Sequence, residues 1–250
     1  MAALIEAQNV SKMFGNLVAV SEVSLAVAAG ELRAIIGPNG AGKTTFFNMI
    51  TGLFPPSSGR IVVDGRDLAG LSAQDRVAMG MARTFQITEI FPELTTWENI
   101  RIAVEIASGY RLRPWISRAE RTRVRERTDE LLVATGLTAV AGRLVGELSH
   151  GDQRAAEIAM ALALNPRILL LDEPTAGMGE QETFHIAGLI RRLHRNSAYT
   201  IVLIEHDMRV VFNLADRITV LDQGRLLAEG TPTEIAANAG VQAAYLGQAT

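Results

Sequence analysis

Short apolar runs separated by turn residues fill the first third of the chain and predict β-strands. The strands are expected over residues 3–10, 23–28, 32–36, 60–65 and 82–86. The first two lie on either side of Gly15-Asn16 and are expected to pair antiparallel. One helix is predicted to end at Gly52 and a second to begin at Ser72. This pattern favours the α/β class, with a core and an antiparallel β flank.

The middle of the chain loses the strand pattern and gains helix-start signals. A serine or threonine followed three residues later by a carboxylate marks the start of a helix at three places. The pairs are Thr95 with Glu98, Ser117 with Glu120 and Ser149 with Asp152. Residues 88–165 are therefore predicted to form a helical subdomain, inserted into an α/β core made of residues 1–87 and 166–250.

Strand signals return in the last third of the chain. Residues 168–172 and 200–204 are almost continuously apolar, as expected of parallel strands that are covered on both faces. Two shorter runs around Gln223-Gly224 predict a hairpin. A C-terminal helix is predicted from Thr231, where a cap residue and a proline stand together.

A glycine-rich segment separates the strand at residues 32–36 from the helix that follows it. It reads Gly37-Pro38-Asn39-Gly40-Ala41-Gly42-Lys43-Thr44, a full G-x-x-x-x-G-K-[ST] phosphate-binding loop, and Thr45 follows it. The glycines let backbone N–H groups approach phosphate oxygens, where the helix dipole adds to the attraction. Lys43 is expected to reach the β- and γ-phosphates and Thr44 to ligate Mg²⁺.

Composition narrows the possible functions. The chain has only two lysines, Lys12 and Lys43, against 22 arginines, so the lysine in the phosphate-binding loop stands out from the background. A net charge of −3 argues against whole-surface attraction to nucleic acid or anionic lipid. The absence of cysteine excludes thiol catalysis and favours a reducing cytoplasm. The first residues lack the pattern of a signal peptide, and no apolar run approaches the ~18 residues needed to cross a bilayer.

Two acidic residues end the apolar run at residues 168–171. A carboxylate at the end of a strand beside a phosphate-binding loop is the usual partner for Mg²⁺, and Asp172 is in that position. Glu173 lies one residue further and could accept a proton from the attacking water as a general base. The alternative is an acidic turn before Pro174.

Arginines are concentrated between residues 111 and 127, where Glu120 and Glu126 interrupt them. One interpretation is a docking face for a partner or for lipid headgroups. The interpretation that we favour is a solvated helix that carries some intrahelical ion pairs.

The segment Leu148-Ser149-His150-Gly151-Asp152-Gln153-Arg154 resembles the signature loop of ATP-binding cassette (ABC) ATPases. Its place just upstream of the Asp172 strand is also similar to that family. The resemblance implies a P-loop NTPase core of the ABC type. It further implies that Ser149, Gly151 and Asp152 contact ATP held by another ATPase subunit. His150 replaces the more usual glycine.

Other positions resemble the ABC family across essentially the whole chain. Phe14 looks like the aromatic residue that stacks on adenine, and Gln86 is similar to the glutamine that touches Mg²⁺ and the attacking water. His206 looks like the switch histidine that contacts the γ-phosphate. The alternatives are a core phenylalanine, a solvent-exposed glutamine and a structural histidine. Gly179 stands where the family often has an aspartate, so coupling between two ATP sites is expected to use backbone contacts or the partner chain.

Several segments resemble the ATPase subunits of bacterial branched-chain amino acid importers. They are residues 14–20, 82–86, 91–95, 176–179 and 205–208. The resemblance implies ATP and Mg²⁺ as ligands. Its implied partners are transmembrane permease subunits, a second ABC ATPase subunit and, indirectly, a periplasmic substrate-binding protein, with no nucleic acid. It implies a peripheral position on the cytoplasmic face of the inner membrane. Import of urea, amides or other acids and export of lipid remain alternatives.

Two other classes of protein fit the sequence less well. A soluble ABC ATPase that acts on DNA or ribosomes generally carries a long coiled coil or two cassettes in tandem. A P-loop kinase or GTP switch needs an acceptor site or guanine-reading residues, which we do not find. The kinase or GTP-switch interpretation also leaves residues 149–153 and His206 unexplained.

Overall fold

The computed structural model describes residues 3–84, 90–110, 117–197 and 199–246. In chain order the elements are β1 (Ala3–Phe14), β2 (Leu17–Ala28), β3 (Leu32–Ile36), α1 (Lys43–Thr51), β4 (Ser58–Val63), β5 (Arg66–Asp67), α2 (Ala73–Ala78), β6 (Met81–Thr84), α3 (Thr96–Ala107), α4 (Arg118–Thr135), α5 (His150–Ala163), β7 (Ile168–Asp172), α6 (Glu180–Ser197), β8 (Thr200–Ile204), α7 (Met208–Leu214), β9 (Arg217–Asp222), β10 (Arg225–Gly230), α8 (Pro232–Ala236) and α9 (Ala239–Leu246). The predicted α/β class is confirmed.

A six-stranded sheet forms the centre, in the order β10-β9-β3-β8-β7-β6. Neighbouring strands from β9 to β6 pair parallel, and only β10 runs antiparallel to its neighbour. Every residue of β3, β7 and β8 is buried, which explains why their sequences are mostly apolar. Arg33 in β3 is also buried and pairs with Glu31 and Glu229. Because these three strands are adjacent and parallel, the segments that follow them meet at one edge of the sheet.

A second sheet, in the order β2-β1-β4-β5, forms the antiparallel flank. Strands β1 and β2 are longer than the sequence pattern predicts, since they remain paired as far as Phe14 and Leu17 at the tip of the hairpin. The flank and α1 bury one apolar cluster against one face of the central sheet. Helices from α3 onward bury a second cluster against the other face. The central sheet is thus a middle layer.

Three long helices, α3, α4 and α5, lie between β6 and β7 and pack on one another. Within residues 90–110 and 117–165, the only strand-type pairing is an isolated bridge between Thr95 and Leu144. Thr95 and Ser117 form the reciprocal capping boxes predicted for them, with Glu98 and Glu120. The helical character predicted for this part of the chain is confirmed.

Two predicted elements differ from the structure. The strand expected over residues 82–86 is β6, Met81–Thr84, and residues 85–89 lie outside the described part of the chain. The single C-terminal helix is two short helices, α8 and α9. The break has a local cause, because the side chain of Asn238 accepts a hydrogen bond from the Val241 N–H and so begins a new helix.

Candidate functional site

The phosphate-binding loop joins β3 to α1, as its sequence predicts. Two of its glycines are required by close backbone approach. A Cβ on Gly37 would lie 2.0 Å from the Leu221 carbonyl oxygen, and one on Gly42 would lie 2.5 Å from that of Ala19. Gly42 also has a φ of 90°, which disfavours any other residue. The loop is therefore held between the flank sheet and β9.

Lys43 is buried inside this loop. Its Nζ donates to the carbonyl oxygens of Gly37 at 2.7 Å and Pro38 at 2.9 Å. Burial lowers the pKa of Lys43, and the negative charge of Glu173 partly opposes that shift. The ammonium group is thus already desolvated and placed against the backbone that would surround a phosphate.

An open cavity lies over the loop. It is lined by Leu17, Val18, Ala19, Asn39, Gly40, Ala41, Gly42, Lys43, Thr44, Thr45, Glu173 and His206. Most of the residues predicted to bind nucleotide therefore share one cavity with the predicted base and the predicted switch histidine. The lining combines apolar side chains of β2 with polar groups of the loop, as a nucleotide requires.

Phe14 is outside the lining of this cavity. Its ring packs edge-on against Phe54, with the centroids 5.4 Å apart, and Lys12 Nζ lies over both rings. The apolar contacts in the cavity come instead from Leu17 and Val18, three and four residues along the same hairpin. Stacking of Phe14 on adenine stays a prediction.

Asp172 ends β7 and is 1% exposed. Its Oδ2 accepts a hydrogen bond from Arg83 Nη2 at 2.8 Å, while its Oδ1 is buried with no hydrogen-bond partner within the described structure. Arg83 also donates to Thr51 Oγ1 at 3.0 Å and lies over the ring of Phe47. The carboxylate is thus fixed through one oxygen, and the other oxygen is an acceptor suited to a cation.

Glu173 follows Asp172 in an uncommon backbone conformation, with a φ of 44°. A non-glycine residue in this region costs of order 1–3 kcal/mol. The turn places Glu173 Oε1 2.7 Å from His206 Nε2, and the Glu173 N–H donates to the Ile204 carbonyl oxygen at 3.0 Å. The predicted base and the predicted switch histidine therefore touch.

The carboxylate of Glu205 orders the backbone around this pair. Glu205 is buried and accepts hydrogen bonds from the Thr175 N–H at 2.9 Å, the Thr175 hydroxyl at 2.6 Å and the His206 N–H at 3.0 Å. Neither Glu205 nor Arg83 is predicted as a site residue from the sequence. A charged residue directly after the apolar run of β8 was the available signal for Glu205. Gln86 lies outside the described residues.

The predicted signature loop begins α5 and lies apart from the phosphate-binding loop. Ser149 Oγ caps the helix by accepting from the Asp152 N–H at 3.2 Å. The neighbouring Gly151 N–H donates to Glu182 Oε1 at 3.2 Å. In the described structure, neither Ser149 nor Gly151 lines the cavity over Lys43. One chain therefore does not bring the two loops together.

The arginine-rich stretch begins outside the described residues, at Arg111 and Arg113. The described part is the exposed outer side of α4, where Arg127 pairs with Glu130 at 3.0 Å and Arg125 lies 3.8 Å from Asp129. These are intrahelical pairs of the kind that the solvated-helix interpretation expects.

Residues 3–84, 90–110, 117–197 and 199–246 lack two features, a metal-binding cluster and a membrane-spanning helix. They contain no cluster of three or more His, Cys, Asp or Glu side chains that could hold a metal ion. No helix among them is both long and apolar enough to span a membrane.

Comparison with known proteins agrees with this geometry. The family model described as ABC transporter matches residues 20–176, and one described as branched-chain amino acid ATP-binding cassette transporter matches residues 225–249. The chain is 40% identical to the high-affinity branched-chain amino acid transport ATP-binding protein BraF of Pseudomonas aeruginosa, over 98% of each chain. It is 43% identical to the corresponding protein LivG of Salmonella typhimurium, over 94% of each. A solved ATP-binding cassette of an ABC transporter in its ADP conformation superposes with a TM-score of 0.85 at 27% identity, over 99% of this chain and 100% of that one. The chain therefore belongs to the ABC transporter family of ATP-binding proteins, and it is an ATPase.

Proposed function

We propose that this chain is the ATP-hydrolysing subunit of a bacterial importer for branched-chain or related amino acids. The observation that carries the enzymatic part is the 2.7 Å contact between Glu173 and His206 in the cavity that also holds Lys43. The assignment to amino acid import rests on relatives described as high-affinity branched-chain amino acid transport ATP-binding proteins. They match this chain over nearly their full length. The match of residues 225–249 to the branched-chain family model supports the same choice.

ATP would bind with its phosphates on residues 37–45 and its adenine toward the apolar side chains of the cavity. Phe14 would stack on the adenine from the tip of the β1–β2 hairpin. Lys43 would exchange the carbonyl oxygens of Gly37 and Pro38 for the β- and γ-phosphates. Because its ammonium group is already removed from water, this exchange costs little further desolvation.

The residues present fit a Mg²⁺ ion. Asp172 offers a buried oxygen that has no hydrogen-bond partner among the described residues, and Thr44 lies exposed in the cavity lining. Gln86 would be the third ligand from the protein. Held by these residues, Mg²⁺ would supply positive charge against the negative charge that develops on the phosphate.

Hydrolysis would proceed by attack of water on the γ-phosphorus. The water oxygen bonds to phosphorus, the bond to the leaving oxygen of ADP breaks, and Glu173 accepts the proton of the water. His206 holds the Glu173 carboxylate through its Nε2 and reaches the γ-phosphate. Gln86 would orient the water.

Each ATP would be enclosed by two subunits. One supplies the phosphate-binding loop, and the other supplies Ser149, Gly151 and Asp152 at the N-terminus of α5, where the backbone N–H groups and the helix dipole favour an anion. The closed pair binds ATP more tightly than the open pair, so ATP binding drives closure and hydrolysis permits opening. The companion is a second copy or a related ATPase subunit.

The movement would pass to permease subunits through the helical part of the chain. We propose that residues 88–165 form a subdomain that moves against the α/β core of residues 1–87 and 166–250. A groove between them is lined by residues of β6, α3 and α5, and Ile106 beside it is 47% exposed. In this proposal the chain lies at the cytoplasmic face of the inner membrane, and a periplasmic binding protein delivers substrate on the other side.

Reconstitution tests the proposed substrate class. The chain is purified from its native cell with its permease subunits and placed in lipid vesicles, and ATP hydrolysis is measured with the co-purified binding protein. Leucine, isoleucine or valine should raise the rate, and the same assembly with Glu173→Gln should not respond. Stimulation by urea or amides, with none by amino acids, would contradict the proposed substrate and favour the amide importers of the same family.

A further inference from the structure

The carboxylate of Glu182 joins two loops that are both expected to face a companion subunit. Glu182 lies in the first turn of α6. Its Oε1 accepts from the Gly151 N–H of the signature loop at 3.2 Å, and its Oε2 accepts from the Gly179 N–H at 3.2 Å. Its Cβ is also the nearest atom to the position that a Cβ on Gly151 would take, at 3.3 Å. Glu182 is therefore packed against the signature loop as well as hydrogen-bonded to it.

The same carboxylate lies close to the other polar groups of that helix start. The Gly151 and Gly179 N–H groups lower the pKa of Glu182 most, and His150 and Ser149 add to the effect. Glu182 is thus an anion held where α5 offers its N-terminal N–H groups. The Gly151 N–H has one hydrogen, so it cannot serve this carboxylate and a phosphate oxygen at the same time.

Two backbone hydrogen bonds, and the peptide bonds between them, connect the loop that Glu182 holds back to Glu173. The Met178 N–H donates to the Thr175 carbonyl oxygen, and the Ala176 N–H donates to the Glu173 carbonyl oxygen. Gly179, which Glu182 holds, follows Met178 directly. A shift of Glu182 can therefore reach the backbone of Glu173 through six residues of ordered loop. Gly179 itself has no side chain to carry such a link.

We propose that Glu182 is a positioning residue that couples the signature loop to Glu173 of the same chain. In the free subunit its carboxylate occupies the Gly151 N–H, and the γ-phosphate of ATP on the companion subunit displaces it when the two subunits close. ATP bound at one site thereby changes the loop that carries the base of the other site. This inference rests on the proposed closure of two subunits around ATP.

Hydrogen exchange of the full chain without nucleotide tests the link itself. Glu182→Gln removes the charge and leaves one oxygen for two N–H groups, so exchange should rise in residues 149–153 and 177–180 together. Glu180→Gln is the matched control, because Glu180 lies in the same turn but pairs with Arg209 at 3.0 Å. It should leave both segments unchanged. A rise in only one segment, or in neither, would overturn the proposed link.

Sedimentation of chains that also carry Glu173→Gln tests the displacement. If Glu182 competes with phosphate, Glu182→Gln should lower the ATP concentration for half-maximal pairing by roughly tenfold, the difference between a charge-assisted and a neutral hydrogen bond. A purely structural role predicts the opposite, since a loosened signature loop pairs less well. An unchanged or higher ATP requirement would therefore overturn the inference. If chains that carry Glu173→Gln alone do not dimerise when ATP is added, the proposed closure of two subunits is wrong. That outcome is distinct from one in which only the proposed role of Glu182 is wrong.

Discussion

Replacing Arg83 by methionine removes the cation that pairs with the buried carboxylate of Asp172. The two side chains are 12% and 1% exposed and lie 2.8 Å apart. A buried carboxylate that loses its partner costs about 3–5 kcal/mol. The lost hydrogen bond to Thr51 adds about 1 kcal/mol, while methionine retains much of the apolar contact with Phe47. We therefore expect the free energy of unfolding to fall by about 4–6 kcal/mol in the chain without nucleotide.

Urea unfolding followed by circular dichroism measures this loss. Arg167→Met is the matched control, because Arg167 and Asp64 lie 2.7 Å apart but are 60% and 59% exposed. That pair should contribute less than about 1 kcal/mol. Adding Asp172→Asn to Arg83→Met should recover most of the loss, since it removes the buried unpaired charge. If Arg83→Met costs no more than the control, or the second change recovers nothing, Arg83 does not neutralise Asp172.

Further outcomes are expected at the phosphate site. Lys43→Ala should raise the Kd for ATP about a hundredfold, as the loss of two charge-assisted hydrogen bonds would. Because burial lowers the pKa of Lys43, the affinity of the parent chain for ATP should fall as pH rises, and it should do so at a lower pH than for an exposed lysine. Calorimetry at several pH values checks both, and a flat profile would contradict the second. Glu173→Gln should lower kcat by about 10²–10⁴ and leave the Kd for ATP unchanged, and turnover at the parent rate would remove Glu173 from the role of base. Gly42→Ala should destabilise the chain by about 1–3 kcal/mol and weaken ATP binding. Gly142→Ala is the control, because a Cβ at Gly142 meets open space, and it should change neither stability nor ATP binding. Thermal unfolding and ATP titration measure the two effects.

The sequence predicted those parts of the fold that depend on local pattern. The strands β3, β7 and β8 are short, mostly apolar runs, and the capping boxes at Thr95 and Ser117 are complete within four residues. The contiguous phosphate-binding loop is local in the same sense. The division of the C-terminal helix was missed because a single side chain, Asn238, decides it.

The supporting residues of the site could not be predicted in this way, because their partners are distant in sequence. Arg83 pairs with Asp172 across 89 residues, and the carboxylates of Glu182 and Glu205 reach N–H groups 31 and 30 residues away. The neighbouring sequence does not show which residues these side chains contact. The sequence predicts groups that would touch ATP, and the structure adds side chains that hold some of those groups in place.

Cross-linking between subunits tests the central claim, that the phosphate-binding loop and the signature loop of two chains enclose one ATP. The chain contains no cysteine, so Asn39→Cys and His150→Cys provide the only thiols in a chain that also carries Glu173→Gln. Both positions are exposed, and within one chain they lie in separate cavities. Mild oxidation with ATP and Mg²⁺ should give a disulfide-linked dimer, and oxidation without ATP should give little. An equal yield with and without ATP, or no linked dimer at saturating ATP, would contradict the account.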